Sequence, residues 1–246
     1  MSFYAISDLH GYPLEKFKAL LEKAGFGEGD TLYVIGDVID RNLDGGVGLL
    51  RYIMGRPDFE FILGNHEDML LACDFLFEEI TDESISELNE MKAAALNRYL
   101  RNGGGVTLES LRLLRREDPA AFDDLLDFLR ESPLYGAVSC GGRDFLLVHG
   151  GLGGFSPEKK LSEYSPHDLI WERPSLETEY FDDVITVFGH TPTLYYGDEY
   201  AGKVLFTRTW IDIDAGAASC LPPALLRLDD LAVFYGEEFP DPDGLN

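Results

Sequence analysis

The run Thr31-Leu32-Tyr33-Val34-Ile35-Gly36-Asp37-Val38-Ile39-Asp40-Arg41 decides the reading of this chain. Its first five residues are β-branched, aromatic or aliphatic with no polar interruption, the pattern of a central strand covered on both faces. Gly36 then lets the backbone turn sharply, and two carboxylates and a guanidinium follow at once. One strand-Gly-Asp junction is weak evidence, because Asp often opens a turn for its own backbone hydrogen bonding. The same grammar recurs four times. Phe3-Tyr4-Ala5-Ile6 leads into Ser7-Asp8-Leu9-His10-Gly11, and Phe59-Glu60-Phe61-Ile62-Leu63 into Gly64-Asn65-His66-Glu67. Phe145-Leu146-Leu147-Val148 meets His149-Gly150-Gly151, and Val184-Ile185-Thr186-Val187-Phe188 meets Gly189-His190-Thr191-Pro192. Of the five histidines, only His167 does not follow such a strand. In α/β sheets ligands gather beyond the carboxyl ends of the strands, so five apolar strands ending in metal-binding side chains predict one shared site.

Composition bounds the rest. A chain of 246 residues has room for one large α/β domain or at most two small ones, and 45% hydrophobic content marks it as globular. A formal net charge of -25 disfavours nucleic acid and anionic membrane as non-specific partners, and is read as serving solubility or adaptation to salt. Cys73, Cys140 and Cys220 show no Cys-x-x-Cys spacing, so neither a disulfide framework nor a thiolate zinc site is expected. The first strand begins at residue 2 or 3, leaving no room for a signal peptide, and no apolar run approaches the roughly 20 residues that span a bilayer. A soluble, cytoplasmic protein is expected.

Between the strands, Pro13 to Ala24 carries Leu14, Phe17, Leu20 and Leu21 at helical spacing and Gly25 stops it. A second helix is expected from about Gly46 to Met54. Two βαβ units follow, and such crossovers make parallel sheet. Glu67 to Phe77 reads as helical. From about 84 to 130 the β grammar lapses: Ser86 to Arg101, Thr107 to Arg116 and Pro119 to Arg130 read as helices, the first broken by Asn102-Gly103-Gly104-Gly105. This is a helical insertion, expected either to cap one rim of the site or to form a plain outer helical layer. Sheet returns at Leu134 to Ser139, with Gly141-Gly142 as a hairpin turn before Arg143 to Val148. Strands are also expected at Lys203 to Phe206, Trp210 to Ile213, Ala224 to Leu228 and Ala232 to Tyr235, giving hairpins in the second half. The tail from Glu237 to Asn246 is expected to fray.

Asp8, His10, Asp37, Asn65, His149 and His190 offer oxygen and imidazole donors with no thiolate, a set suited to Mn²⁺, Fe or Zn²⁺. Six ligands exceed one tetrahedral zinc. They suit two ions sharing a carboxylate about 3.5–4 Å apart, as in phosphoryl transfer. Arg41 then suits phosphate oxygens, and His66 with Asp40 suits proton transfer.

These blocks, Asp8-Leu9-His10-Gly11, Gly36 to Arg41, Gly64-Asn65-His66-Glu67, His149-Gly150-Gly151 and Gly189-His190-Thr191-Pro192, resemble in sequence and order the signatures of the PPP-type serine/threonine protein phosphatases, within the calcineurin-like metallophosphoesterases. The resemblance implies one α/β domain over 1–246, two mixed β-sheets packed as a sandwich with flanking helices, and a dinuclear centre, with two Mn²⁺ the first choice. It assigns Asp8, His10 and Asp37 to one ion and Asp37, Asn65, His149 and His190 to the other. It makes His66, paired with Asp40, the acid for the leaving group, and Arg41 a phosphate ligand. Trp171-Glu172-Arg173 resembles the small bacterial-type members, which nominates Arg173 as a second phosphate ligand. Ser7 and Asn42 stand where the family usually has Gly, and Asn tolerates left-handed geometry.

The expected activity is a metal-dependent phosphomonoesterase acting on a phosphorylated protein or small phosphoester, with in-line attack by a hydroxide bridging the two ions. The enzymatic alternative is the related symmetrical bis(5'-nucleosyl)-tetraphosphatase. That subfamily usually has Ala in place of Asp40 and Asp in place of Glu67, so both residues favour the phosphomonoesterase. A metal-binding pseudophosphatase serving as a docking module is the alternative of another class, and the complete ligand and acid sets argue against it.

Overall fold

The computed structural model describes residues 1–78, 81 and 89–239; the first residues of the expected insertion, 84–88, and the end of the tail, 240–246, lie outside them. Three strands carry the first half: β1 (Phe3–Ile6), β2 (Thr31–Ile35) and β3 (Phe59–Ile62) run parallel, with Ile6 opposite Val34 and Ile35 opposite Ile62. The crossovers are α1 (Leu14–Ala24) and α2 (Val47–Met54). α1 buries Phe17, Leu20, Leu21 and Ala24, one face of a 3.6-residue period, and ends where Gly25 takes φ 75° and turns its N–H back to Glu22 and Leu21. α3 spans Asn65–Leu71. It starts two residues earlier than expected, because the Glu67 side chain turns back to accept the Gly64 N–H at 3.2 Å and so caps a helix that already includes Asn65 and His66.

Three helices follow among the described residues: α4 (Glu90–Arg101), α5 (Gly105–Glu117) and α6 (Pro119–Glu131). Asp118 caps α6 with its side chain on the Ala121 N–H, and Pro119 takes the first helical position. The second sheet holds β4 (Tyr135–Cys140), β5 (Arg143–Val148), β6 (Val184–Phe188), β7 (Leu205–Phe206) and β8 (Trp210–Asp212), in the order β4-β5-β6-β8-β7. A short α7 (Pro166–Ile170) lies in the β5 to β6 crossover. Gly141 and Gly142 both have left-handed φ and close the β4–β5 hairpin as expected.

The second half departs from the expectation in two ways. β5, β6 and β8 are parallel, so antiparallel pairing is confined to the outer strands of that sheet. The final hairpin, β9 (Ala224–Arg227) and β10 (Ala232–Tyr235), returns to the first sheet and pairs antiparallel with β1. The first sheet is therefore β10-β9-β1-β2-β3, with β2 an interior strand between β1 and β3 as expected and β1 at the middle.

The fold is α/β, two mixed sheets packed as a sandwich with helices outside. Alternation along each strand builds the layers. On β2, Leu32 and Val34 face the helical side with Phe17, Leu50 and Leu125. Ile35, with Ala5 of β1 and Ile62 of β3, packs against Phe145, Leu147, Val187 and Ile211 of the second sheet. Leu146, Val148, Phe188 and Trp210 face outward under Leu169 and Ile170 of α7.

Candidate active site

The segments that follow β1, β2, β3, β5 and β6 meet in a cavity of about 280 Å³, whose lining includes Asp8, His10, Asp37, Asn65, His66 and His190. Backbone bonds lace these segments together. Asp8, His10 and Gly11 donate their N–H groups to the carbonyls of Gly36, Asp37 and Val38 at 3.1, 3.0 and 2.9 Å. Gly189 donates to the His149 carbonyl at 3.0 Å, and His190 N–H to Asp8 Oδ2 at 2.9 Å. A Cβ on Gly36, where φ is 70°, would collide with Gly64 and lie 2.9 Å from His149 Nδ1, so only glycine lets β2 turn here.

This lacing holds strained backbone. Nine non-glycine residues among those described have positive φ, and Asp8, His10, Asp37, Asp40, Arg41 and His190 are among them. Each such conformation costs about 1–3 kcal/mol and persists only where its surroundings impose it. Asn42 is not one of them. It stabilises the turn differently, by donating its side-chain N–H to the His10 carbonyl at 2.8 Å.

The donors are arranged as metal ligands need. His10 Nδ1 donates to the Ile39 carbonyl at 3.0 Å and His149 Nδ1 to the Ile35 carbonyl at 2.8 Å, which turns both Nε2 atoms into the site. His10 Nε2 lies 3.7 Å from Asp37 Oδ2 and 3.9 Å from Asp8 Oδ1. His149 Nε2 lies 3.3 Å from Asp37 Oδ1 and 2.9 Å from Asn65 Oδ1. His190 Nε2 is buried with no hydrogen-bond partner, the orphaned atom a cation would satisfy. Two sets of ligand atoms, from His10, Asp37 and His66 and from Asp37, His149 and His190, each lie within 4.8 Å of one another. Asp37 belongs to both, and Asp8 Oδ1 approaches His10 of the first set to 3.9 Å. The residues fit a pair of divalent ions.

The electrostatics agree. Burial, reinforced by His66, lowers His10 to about 3, and burial with His149 lowers His190 to about 2, so both imidazoles are neutral and free to ligate. Burial pushes Asp8 up to about 6. Burial would also raise Asp37, but His149, His66 and His10 surround it and hold its carboxyl well below the usual range. Burial would lower His149, yet Asp37 and Asp8 raise it to about 10, so ligation there displaces a proton.

His66 differs from its neighbours. Its Nδ1 lies 2.6 Å from Asp40 Oδ2 and its Nε2 3.8 Å from Asp37 Oδ2. Burial opposes its charge, but Asp37 and Asp40 outweigh burial and raise its pKa. With Nδ1 committed to the buried Asp40 carboxylate, the ring is set to hold and pass a proton at Nε2. Arg41 and Arg173 both line the cavity. Arg173 Nη1 donates to the His190 carbonyl at 3.0 Å, and its Cζ lies 5.9 Å from the Tyr195 ring. His167 is exposed and stacks against Trp171.

The sequence reading gave two residues no structural role in the site. Glu67 is fully buried, and its carboxylate accepts from the N–H groups of Asp37 and Val38 at 2.8 Å each and of Ile39 at 3.3 Å. It braces the loop that presents Asp37. Asp214 is buried at the cavity wall. It follows β8, and Trp210-Ile211-Asp212-Ile213-Asp214 repeats the strand-to-Asp grammar a sixth time, the signal that could have found it.

Comparison with known proteins agrees with this architecture. The family model described as calcineurin-like phosphoesterase matches residues 1–213. The symmetrical bis(5'-nucleosyl)-tetraphosphatase of Acidovorax sp. (strain JS42) is 27% identical over 197 residues, 79% of this chain and 59% of that protein. That of Chromohalobacter salexigens is 29% identical over 204 residues, covering 82% and 62%. The chain thus spans about three-fifths of the length of these curated relatives. A protein serine/threonine phosphatase from Saccharomyces cerevisiae superposes with a TM-score of 0.61 at 16% identity, over 99% of this chain and 82% of that one. A metallophosphoesterase from Sphaerobacter thermophilus gives 0.53 at 17% identity, over 97% and 88%. At such identities the structures speak for the fold alone. With the family model covering most of the chain and the site's donors gathered at the strand ends, the chain belongs to the calcineurin-like phosphoesterases.

Proposed function

We propose that this metallophosphoesterase hydrolyses nucleotide phosphoanhydrides, with a symmetrical dinucleoside tetraphosphate as first substrate. The likeness of the chain to bis(5'-nucleosyl)-tetraphosphatases carries this reading. The cavity supports it, since the exposed Tyr195 lines it beside Arg173 and Arg41, and bases stack on such a ring. Asp8, His10 and Asp37 would hold one ion and Asp37, Asn65, His149 and His190 the other, with Mn²⁺ first and Fe or Zn²⁺ as alternatives. When bound, such ions polarise phosphoryl oxygens and lower the pKa of water. Arg41 and Arg173 orient the phosphate chain through charge-assisted bonds. His66 presents a proton at Nε2 to the leaving oxygen, and Asp40 at Nδ1 keeps the ring charged and aimed.

A second reading is a phosphomonoesterase of the protein phosphatase type. The buried His66–Asp40 pair favours it, because an alkoxide leaving from phosphoserine needs a proton far more than a leaving nucleoside diphosphate does. Turnover of diadenosine tetraphosphate, a phosphoserine peptide and nitrophenyl phosphate, side by side with Mn²⁺, tests both. ADP as the sole product from the first substrate, at the highest kcat/KM, is the expected result. Phosphoserine hydrolysis with diadenosine tetraphosphate untouched would replace the first reading by the second.

A further inference from the structure

The helices between β3 and β4 reach the His66–Asp40 pair through two hydroxyls. Asp40 is fully buried. Its Oδ1 accepts from the Tyr99 hydroxyl of α4 at 2.7 Å and from Thr107 Oγ1 of α5 at 2.6 Å, leaving Oδ2 for His66 Nδ1. The Thr107 oxygen also accepts from the Asp40 N–H at 3.1 Å. At the corner between the helices, the Gly103 carbonyl accepts from the Arg41 N–H at 3.2 Å. Three points of one helical corner therefore grip a dipeptide whose residues both hold left-handed φ, 76° at Asp40 and 72° at Arg41. Backbone of that kind relaxes unless its surroundings impose it.

The corner is shaped for this grip. Gly103 has φ 96°, and a Cβ there would press to 2.9 Å on Arg41 Cγ, while one on Gly104 would enter the Tyr99 ring. Burial, with Asp40 beside it, holds the Tyr99 phenol well above its usual range, so it stays a donor. A carboxylate with one free oxygen turns easily about its last torsion, which is broad. Two charge-assisted O–H bonds to Oδ1 fix its plane and direct Oδ2 at the imidazole.

We propose that Tyr99 and Thr107 are positioning residues for the acid: through Asp40 they aim His66 at the leaving group, which makes the helical arm part of the leaving-group machinery. The inference rests on the role proposed above for His66. The test compares Tyr99→Phe, Thr107→Val and the double variant, metal-loaded, on an alkyl phosphate monoester and on nitrophenyl phosphate. For the double variant, kcat on the alkyl ester is expected to fall by about 10 to 10²-fold, part of the 10²–10⁴-fold typical of a general acid. The aryl ester, KM and inhibition by inorganic phosphate should barely change, and Thr107→Ser should restore what Thr107→Val loses. Equal losses on both esters, or a Ser variant as poor as the Val variant, would overturn the proposal.

Proton NMR reads the same geometry without turnover. The His66 Nδ1 proton shared with Asp40 should resonate far downfield, identified by its loss in His66→Asn, and should shift in each hydroxyl-deleted variant. A resonance unmoved in all of them overturns the positioning role. A shifted resonance together with equal losses on both esters would show that the hydroxyls hold a ring that is not the acid, and would overturn the proposal through the role of His66 rather than through the contacts. Tyr99→Phe keeps the ring and removes one oxygen, so it carries both readouts should the double variant fail to fold.

Discussion

The first sheet delivers its side chains through three strand-to-helix junctions, whereas the second delivers His149 and His190 at the heads of long crossovers with little regular structure. The first rim holds Asp8, His10, Asp37, Asp40, Arg41, Asn65 and His66, carboxylates and cationic groups together, in backbone laced by hydrogen bonds and strained at Asp8, His10, Asp37, Asp40 and Arg41. The second rim offers two imidazoles, Arg173 and the buried Asp214, and of these only His190 holds positive φ. The difference teaches that the proposed chemistry is concentrated on one rim, where a brace such as Glu67 fixes the loops, while the other rim would complete the proposed metal site.

Breaking the shared carboxylate should have the largest effect. Asp37 faces both ligand sets, so Asp37→Asn should strip both ions and reduce turnover to background in a folded protein. His190→Asn, on the second rim, should cost one ion only. Elemental analysis with circular dichroism reads both; wild-type stoichiometry and activity in Asp37→Asn would end the dinuclear assignment.

Next in size is the acid. His66→Asn should lower phosphoserine turnover by about 10²–10⁴-fold and nitrophenyl phosphate turnover far less. Equal losses with an unchanged melting temperature would move His66 to ground-state phosphate binding.

Arg41→Lys is expected to be smaller, because a charge stays but the guanidinium fork is lost. A lost charged hydrogen bond of about 1.5–3 kcal/mol corresponds to roughly 10 to 10²-fold in kcat/KM, with weaker inhibition by phosphate and full metal content. Unchanged phosphate inhibition would remove the contact assigned to Arg41.

The smallest effect lies on the second rim and is a pH dependence. Asp212 is fully buried with Oδ2 unpartnered, and burial with Asp214 nearby pushes its carboxyl well above the ordinary 3.8. A raised folded-state pKa contributes stability that is present at low pH and is lost as pH climbs from the ordinary value through the folded one. Asp212→Asn, which does not ionise, should therefore gain on wild type in melting temperature as pH rises from 3.8 upward. A gap between the two that stays constant across that range would contradict this.

Five strand-to-ligand junctions were legible in the sequence because each places chemistry directly after an apolar run, so the α/β class, the two βαβ units, the Gly141-Gly142 hairpin and the candidate donors could be read from local pattern. Periodicity along a strand is a one-dimensional property, and the chain states it outright. Which strands become neighbours is not local. That β5, β6 and β8 run parallel, that β9 and β10 cross back to pair with β1, and that Tyr99 and Thr107 come from a separate helical arm to hold Asp40, depends on how buried faces match across long connections. The left-handed φ of Asp40 and Arg41 belongs to the same category, since neither residue prefers that conformation alone. Glu67 shows the boundary within one motif: the sequence placed it beside His66, and only the packed junction of two loops turned its carboxylate into the acceptor that holds Asp37 in place.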